Sequence, residues 1–212
     1  MTDDGETPFQ PQDRFDVGDL ETLRVLADPL RLRILEAFVR EGDAPQTVKQ
    51  VARVLGESPT KLYYHVQLLE ERGLIRMTAT RVVSGIIEKR YQPVARSYRV
   101  DRTLLDSTSS SGATEAIASA VASLLEGARE DILDGMRDGR ILAGDDVPVE
   151  RRAIISRTGG RMAPERARAF LGRLEALCAE LDEADDSPDA VEFGLTLAFY
   201  PARPRQSEET DA

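Results

Sequence analysis

The stretch "SPTKLYYHVQLLEERGLI" occupies residues 58–75, and its reading decides the fold. Ser58 followed by Pro59 is a cap-and-proline helix start, and Gly73 supplies the stop. Between them Leu62, Val66 and Leu69 recur on one stripe, which must face other helices. That orientation turns Thr60, Lys61, Tyr63, Tyr64 and Gln67 outward around the first two turns, and His65 is a further candidate DNA contact on the same helix. A hydroxyl, a cation, an amide and two aromatic rings on a short helix match the base edges and thymine methyls of a DNA major groove. Ser58 and the helix N-terminus favour a neighbouring phosphate. The lone His65 reads as a partly buried residue that bonds to the fold or to a phosphate, rather than as a metal ligand or an acid-base group.

Upstream, "GDLETLRVLAD" (18–28) spaces Leu20, Leu23 and Leu26 by three residues, and Asp28-Pro29 repeats the cap-and-proline start. The helix that follows presents Leu30, Ile34, Leu35 and Phe38 to a core and stops near Gly42. Thr47 with Gln50 forms a capping box that opens "VKQVARVLG", where Val48, Val51, Val54 and Leu55 share a face. Thr47 is also a candidate DNA contact. After Gly73 the period changes: "LIRMTATRVVSGIIEKRYQPV" (74–94) is rich in β-branched residues around a Ser84-Gly85 turn, the pattern of a β-hairpin. Helices in this order followed by a hairpin describe a winged helix-turn-helix. Arg81 near the hairpin tip and Lys89 and Arg90 on its return arm would lie along backbone or minor groove.

Charge supports the same reading. The chain of 212 residues carries a net charge of −10, which on its own argues against a polyanionic partner. Between Ser58 and Arg99, however, eight Lys or Arg stand against Glu70, Glu71 and Glu88, a local net of +5, so the remainder carries −15. One cysteine (Cys178) and one histidine exclude an intramolecular disulfide and a dedicated Cys/His zinc site. The N-terminus is acidic where a secretory signal is basic and then apolar, and no run of eighteen apolar residues occurs. A soluble, cytoplasmic protein is expected, without a membrane partner.

Organisation along the chain is read as follows. Residues 1–16 form a disordered acidic tail and 17–102 the winged helix-turn-helix. Residues 103–140 hold a serine-rich linker, "DSTSSSG" (106–112), and a long helix over about 113–137. A β-α-β dimerisation or sensing region spans 141–203, its helix bracketed by "RRAIISRT" and "AVEFGLTLAFYP", and 204–212 is a disordered tail. The fold class is mainly α with β, α+β. Leu20, Leu23, Ile117, Val121, Leu124, Leu125 and Ile132 are the candidate dimerisation residues, on the argument that the long helix needs a partner surface. A core helix packed on its own β-α-β unit is the alternative. The "RTGGRM" turn (157–162) lacks the phosphate-loop pattern and reads as a simple turn, and Cys178 reads as a buried structural thiol.

"LADPLRLRILEAF", "SPTKLYYHVQLLEERGLI" and "GIIEKRY" together resemble the winged-helix repressors of the arsenic-repressor (ArsR-type) superfamily, in particular the branch with an extended C-terminal region. The resemblance covers about residues 20–99. It implies a homodimer that binds double-stranded DNA at a pseudo-palindromic operator and represses transcription until an effector releases it. The sequence departs from the metal-sensing members: "TVKQVARVLG" carries no thiolate pair. The reading is therefore a sequence-specific transcriptional regulator that does not sense metal, with no enzymatic activity and no catalytic residues. No cofactor is expected, and an unidentified small-molecule effector stays open. The alternative is a protein-interaction adaptor or architectural DNA binder with the same fold.

Overall fold

The structure, a computed structural model, describes residues 9–41, 44–83, 85–101, 103–104, 111–144, 146–182, 187 and 189–202. Residues 1–8, Gly42, Ser84, most of the serine-rich linker and 204–212, on which several sequence expectations fall, lie outside the described residues. The chain divides into two compact units, Met1–Asp131 and Ile132–Ala212.

In the first unit, strand β1 (Gln12–Val17) leads into helices α1 (Leu20–Leu26), α2 (Pro29–Arg40), α3 (Val48–Val54) and α4 (Pro59–Glu71). Each helix starts on a side-chain cap. Asp19, Asp28, Thr47 and Ser58 accept from the backbone N–H three residues on, which satisfies one of the donors a helix start leaves open. The capping box of α3 is complete: Thr47 Oγ1 accepts from Gln50 N at 3.2 Å, and Gln50 Oε1 accepts from Thr47 N at 2.9 Å. α4 ends in a Schellman motif in which Gly73 N donates to Glu70 O and Leu74 N to Leu69 O, at 3.0 and 2.9 Å. Gly73 sits at φ +65°, a left-handed conformation that is costly for a residue with a Cβ.

Strands β2 (Ile75–Val83) and β3 (Ile86–Pro93) form the antiparallel hairpin. Tyr91 of β3 also bridges to Gln46 ahead of α3, through N–H to C=O bonds of 2.7 and 2.8 Å. That bridge pins the hairpin beside the helices. Leu23, Ile34, Leu35, Phe38, Val51, Leu62, Val66, Leu69, Leu74 and Ile75 are buried together as the core. The cores of α2, α3 and α4 therefore agree with the sequence stripes, Val54 excepted, which is 61% exposed.

β1 corrects the expected tail. Residues 12–16 belong to a strand that pairs in parallel with β4 (Ala95–Val100). Such pairing requires a long crossover, and here the crossover is the whole helix-and-hairpin unit. Phe15 and Tyr98 meet across the pair, with ring centroids 5.9 Å apart. Tyr98 OH donates to Leu74 O at 2.6 Å, and burial pushes its phenol up to about 12.

Helix α5 (Ser111–Arg137) docks its first turns on the core through Ala116, Ile117 and Ala120, with Ala113 also buried. Ser123 Oγ donates to Ala27 O at 2.6 Å. Farther along, Val121, Leu124 and Leu125 are exposed. Leu23 is 1% exposed inside this unit, so its side chain is consumed by the chain's own core and not by a dimer face. Leu20 is half-buried against the same core.

In the second unit, helix α6 (Pro164–Asp182) keeps Phe170, Leu171, Leu174 and Cys178 half-buried, while Leu177 and Leu181 are exposed. Phe170 meets Phe199 at 5.4 Å between centroids. The expected strands on either side of α6 are not formed as a sheet: 153–163 and 190–202 carry no strand pairing among the described residues. Val191, Phe193, Leu195, Leu197 and Phe199 all stay 44–53% exposed. The alternation is present in the sequence, but a strand needs a neighbouring edge to pair with, and among the described residues 190–202 has no such pairing.

Candidate nucleic-acid interface

α4 is held by a buried stripe. Leu62, Val66 and Leu69 are 0–1% exposed, which fixes the helix's rotation and leaves Thr60, Lys61, Tyr63, Tyr64 and Gln67 exposed, as their spacing requires. Tyr63 and Tyr64 are 52% and 63% exposed, two large rings side by side facing solvent near the start of one helix. Lys61 Nζ lies 2.9 Å from Glu57 Oε1, and the lysine's hydrogen bond holds the Glu57 carboxyl below its ordinary range. Gln67 Nε2 donates to Glu71 Oε1 at 2.8 Å. Both pairings are exposed, and such contacts exchange readily for a stronger partner.

Of the candidate contacts named from the sequence, Thr47 turns inward, and His65 is partly buried as its reading expected. Thr47 is 4% exposed and its hydroxyl is engaged in the α3 capping box, so it builds the helix and does not reach outward. His65 is largely buried: its ring packs edge-on to Tyr64 at 5.7 Å, and Nδ1 stands 3.9 Å from Asp28 Oδ1. Asp28 is itself the cap of α2, accepting from Arg31 N at 3.0 Å. His65 thus stands between the exposed face of α4 and the start of α2. Ser58 remains exposed at the N-terminus of α4, with its Oγ 3.4 Å from Lys61 N.

On the hairpin, Arg81 and Lys89 are exposed and Arg90 is half-buried, with Arg90 Nη1 donating to Pro45 O at 3.4 Å. Arg90 therefore helps fasten β3 to the segment ahead of α3. Glu88, directly across from Arg81 in register, pairs instead with Lys49 Nζ at 3.2 Å. That ion pair joins residues 39 positions apart, and no local spacing in the sequence could have found it.

A cleft of about 700 Å³ opens between α3, α4 and β3, lined among others by Lys49, Tyr63, Gln67, Glu70, Glu88 and Lys89. Its carboxylates are each occupied: Glu88 by Lys49, Glu71 by Gln67, and Glu70 by the Tyr91 hydroxyl, whose phenol is raised by burial first and then by that carboxylate. Only Glu88 is paired with a cation; Glu70 and Glu71 are bonded to neutral groups and keep their negative charge beside α4. Among the described residues no cluster of three or more His, Cys, Asp or Glu is placed to hold a metal ion, and no helix is long and apolar enough to cross a membrane.

With this geometry in place, comparison with known proteins finds one family, described as a helix-turn-helix domain, matching residues 26–78. The match runs from the end of α1 through α2, α3 and α4 into the start of β2, the part of the chain that positions the exposed face of α4. No curated protein matches the chain.

Proposed function

We propose that this chain is a sequence-specific DNA-binding transcriptional regulator, acting as a homodimer that represses from a pseudo-palindromic operator without sensing metal. The observation that carries the reading is the exposed Thr60, Lys61, Tyr63, Tyr64 and Gln67 surface on α4, in a helix-turn-helix domain whose hairpin adds Arg81 and Lys89. α4 enters the major groove with its N-terminal turns foremost. Gln67 and Thr60 read base edges, Tyr63 and Tyr64 pack on sugars and thymine methyls, and Lys61 and Ser58 hold phosphates.

Dimerisation follows from the need for two reading heads about one duplex turn, roughly 34 Å, apart. The exposed Val121, Leu124 and Leu125 on α5 supply the apolar surface for it. No side chain is assigned a catalytic role. Lone Cys178 on α6 and lone His65 on α4 make a poor thiolate or imidazole donor set. Selection from a randomised duplex pool by the full chain tests the reading: enrichment of a two-fold related sequence is expected, and failure to enrich any sequence contradicts it.

A further inference from the structure

The far end of the hairpin is apolar where the approach to it is cationic. Val82 and Ile87 are 69% and 68% exposed, and Val83 is 44% exposed. Val82 and Ile87 are direct partners across the hairpin, as are Thr80 and Lys89 behind them. Because side chains alternate along a strand, these four share one face. Lys89, Ile87 and Tyr91 of that alternation line the cleft beside α4, together with Tyr63 and Gln67. The Val82–Ile87 pair, one pair inside the Val83–Ile86 end of the ladder, therefore belongs to the part of the hairpin that borders the reading helix through Ile87, Glu88 and Lys89. Neither Val82 nor Ile87 belongs to the core cluster or packs against it among the described residues.

We infer that Val82 and Ile87 form an apolar wedge that enters the DNA minor groove beside the α4 site and kinks the duplex there. This rests on the DNA-binding reading above and adds to it a deformation that cations alone would not produce. Three observations choose DNA as the occupant. The pair is framed by exposed Arg81 and Lys89, which suit phosphates on both sides of a groove. Glu88, the acid of this segment, is neutralised by Lys49 at 3.2 Å. The wedge also sits beside the exposed residues of α4, since Ile87 and the neighbouring Lys89 line one cleft with Tyr63 and Gln67. Aliphatic side chains set between base steps partly unstack them and bend the duplex, by about 20–90° in proteins that use this device. The binding free energy of such a site then depends on flexible steps at positions that no side chain reads directly.

The test uses the full chain and the duplex enriched by the selection above, with fluorophores at its two ends and 2-aminopurine at successive positions flanking the protected centre. Energy transfer between the ends reports bending, and 2-aminopurine brightening reports unstacking. For the unaltered chain we expect a bend and one brightened step on each side. Val82→Ser with Ile87→Ser, both at solvent-exposed positions, should keep the protected centre and lose both signals, with affinity down roughly tenfold. Val82→Leu with Ile87→Leu should retain both signals. A selected duplex that is bound straight and fully stacked by the unaltered chain overturns the wedge and leaves the DNA-binding reading standing. So does a serine variant that bends it equally. A serine variant that loses self-association in sedimentation with its DNA bend unchanged overturns the wedge in favour of a contact between copies. If no duplex is enriched at all, the underlying reading fails, and the wedge with it.

Discussion

Thr47 and Tyr64 separate two roles that look alike in a sequence. Both are polar side chains near a helix-turn-helix start, yet one hydroxyl is 4% exposed and closes a capping box while the other residue is 63% exposed. Thr47→Ala should cost about 1 kcal/mol of stability, read as a lower urea midpoint, with DNA affinity unchanged once the protein is folded. Glu36 gives a second residue-level expectation. Burial first, and the Asp131 carboxylate second, raise its carboxyl above the ordinary value of 4.5, while Arg40 and Arg33 oppose them. A carboxyl raised by folding binds its proton more tightly in the folded chain, so its contribution is present below the ordinary value and is lost as pH climbs through the raised one. Glu36→Gln stays neutral throughout. Its melting temperature should exceed that of the unaltered chain at neutral pH, with the gap closing as pH falls through the raised value and gone below the ordinary 4.5; a gap constant in pH would refute the assignment. The cap residues were legible because each acts within four positions. The inward turn of His65 toward Asp28 was legible only as a bias, since the partner lies on another helix.

At the scale of elements, local grammar carried α2, α3, α4 and the hairpin, because caps, apolar stripes, glycine stops and β-branched runs all lie within the element they specify. β1 was missed for the complementary reason: its partner β4 is some eighty positions away, and a single short strand ahead of the helices has no pattern of its own. The hairpin tip was read for its cations, and its apolar pair was counted as ordinary strand. Only the register and the exposure of Val82 and Ile87 expose the difference. The long helix α5 was found, but its docking through alanines and Ser123 was not, because small residues give a weak stripe. Leu125→Glu follows from the proposed use of α5. It should leave the melting temperature of the chain nearly unchanged, since Leu125 is 53% exposed, and should move the sedimentation coefficient toward that of a single chain. A complex that stays paired would remove α5 from the dimer face.

Across the whole molecule, charge is partitioned: a +5 segment over Ser58–Arg99 in a chain of net −10. Affinity for DNA is therefore expected to come from a local patch working against a repulsive remainder, which makes discrimination between sequences more telling than bulk affinity. The C-terminal unit was the least legible part, because period-two alternation in 191–199 states a preference for strand without naming the edge that would satisfy it. The central claim, that α4 reads sequence, is tested most directly by fluorescence anisotropy of the full chain. The selected duplex is compared with its scrambled counterpart at low and near-physiological salt, with Lys61→Ala and Tyr64→Ala alongside. The expected result is a preference for the selected duplex that survives salt, with Lys61→Ala weakening both duplexes and Tyr64→Ala erasing most of the preference. Weak binding that is equal on both duplexes and vanishes with salt would contradict it, leaving an architectural or adaptor domain in its place.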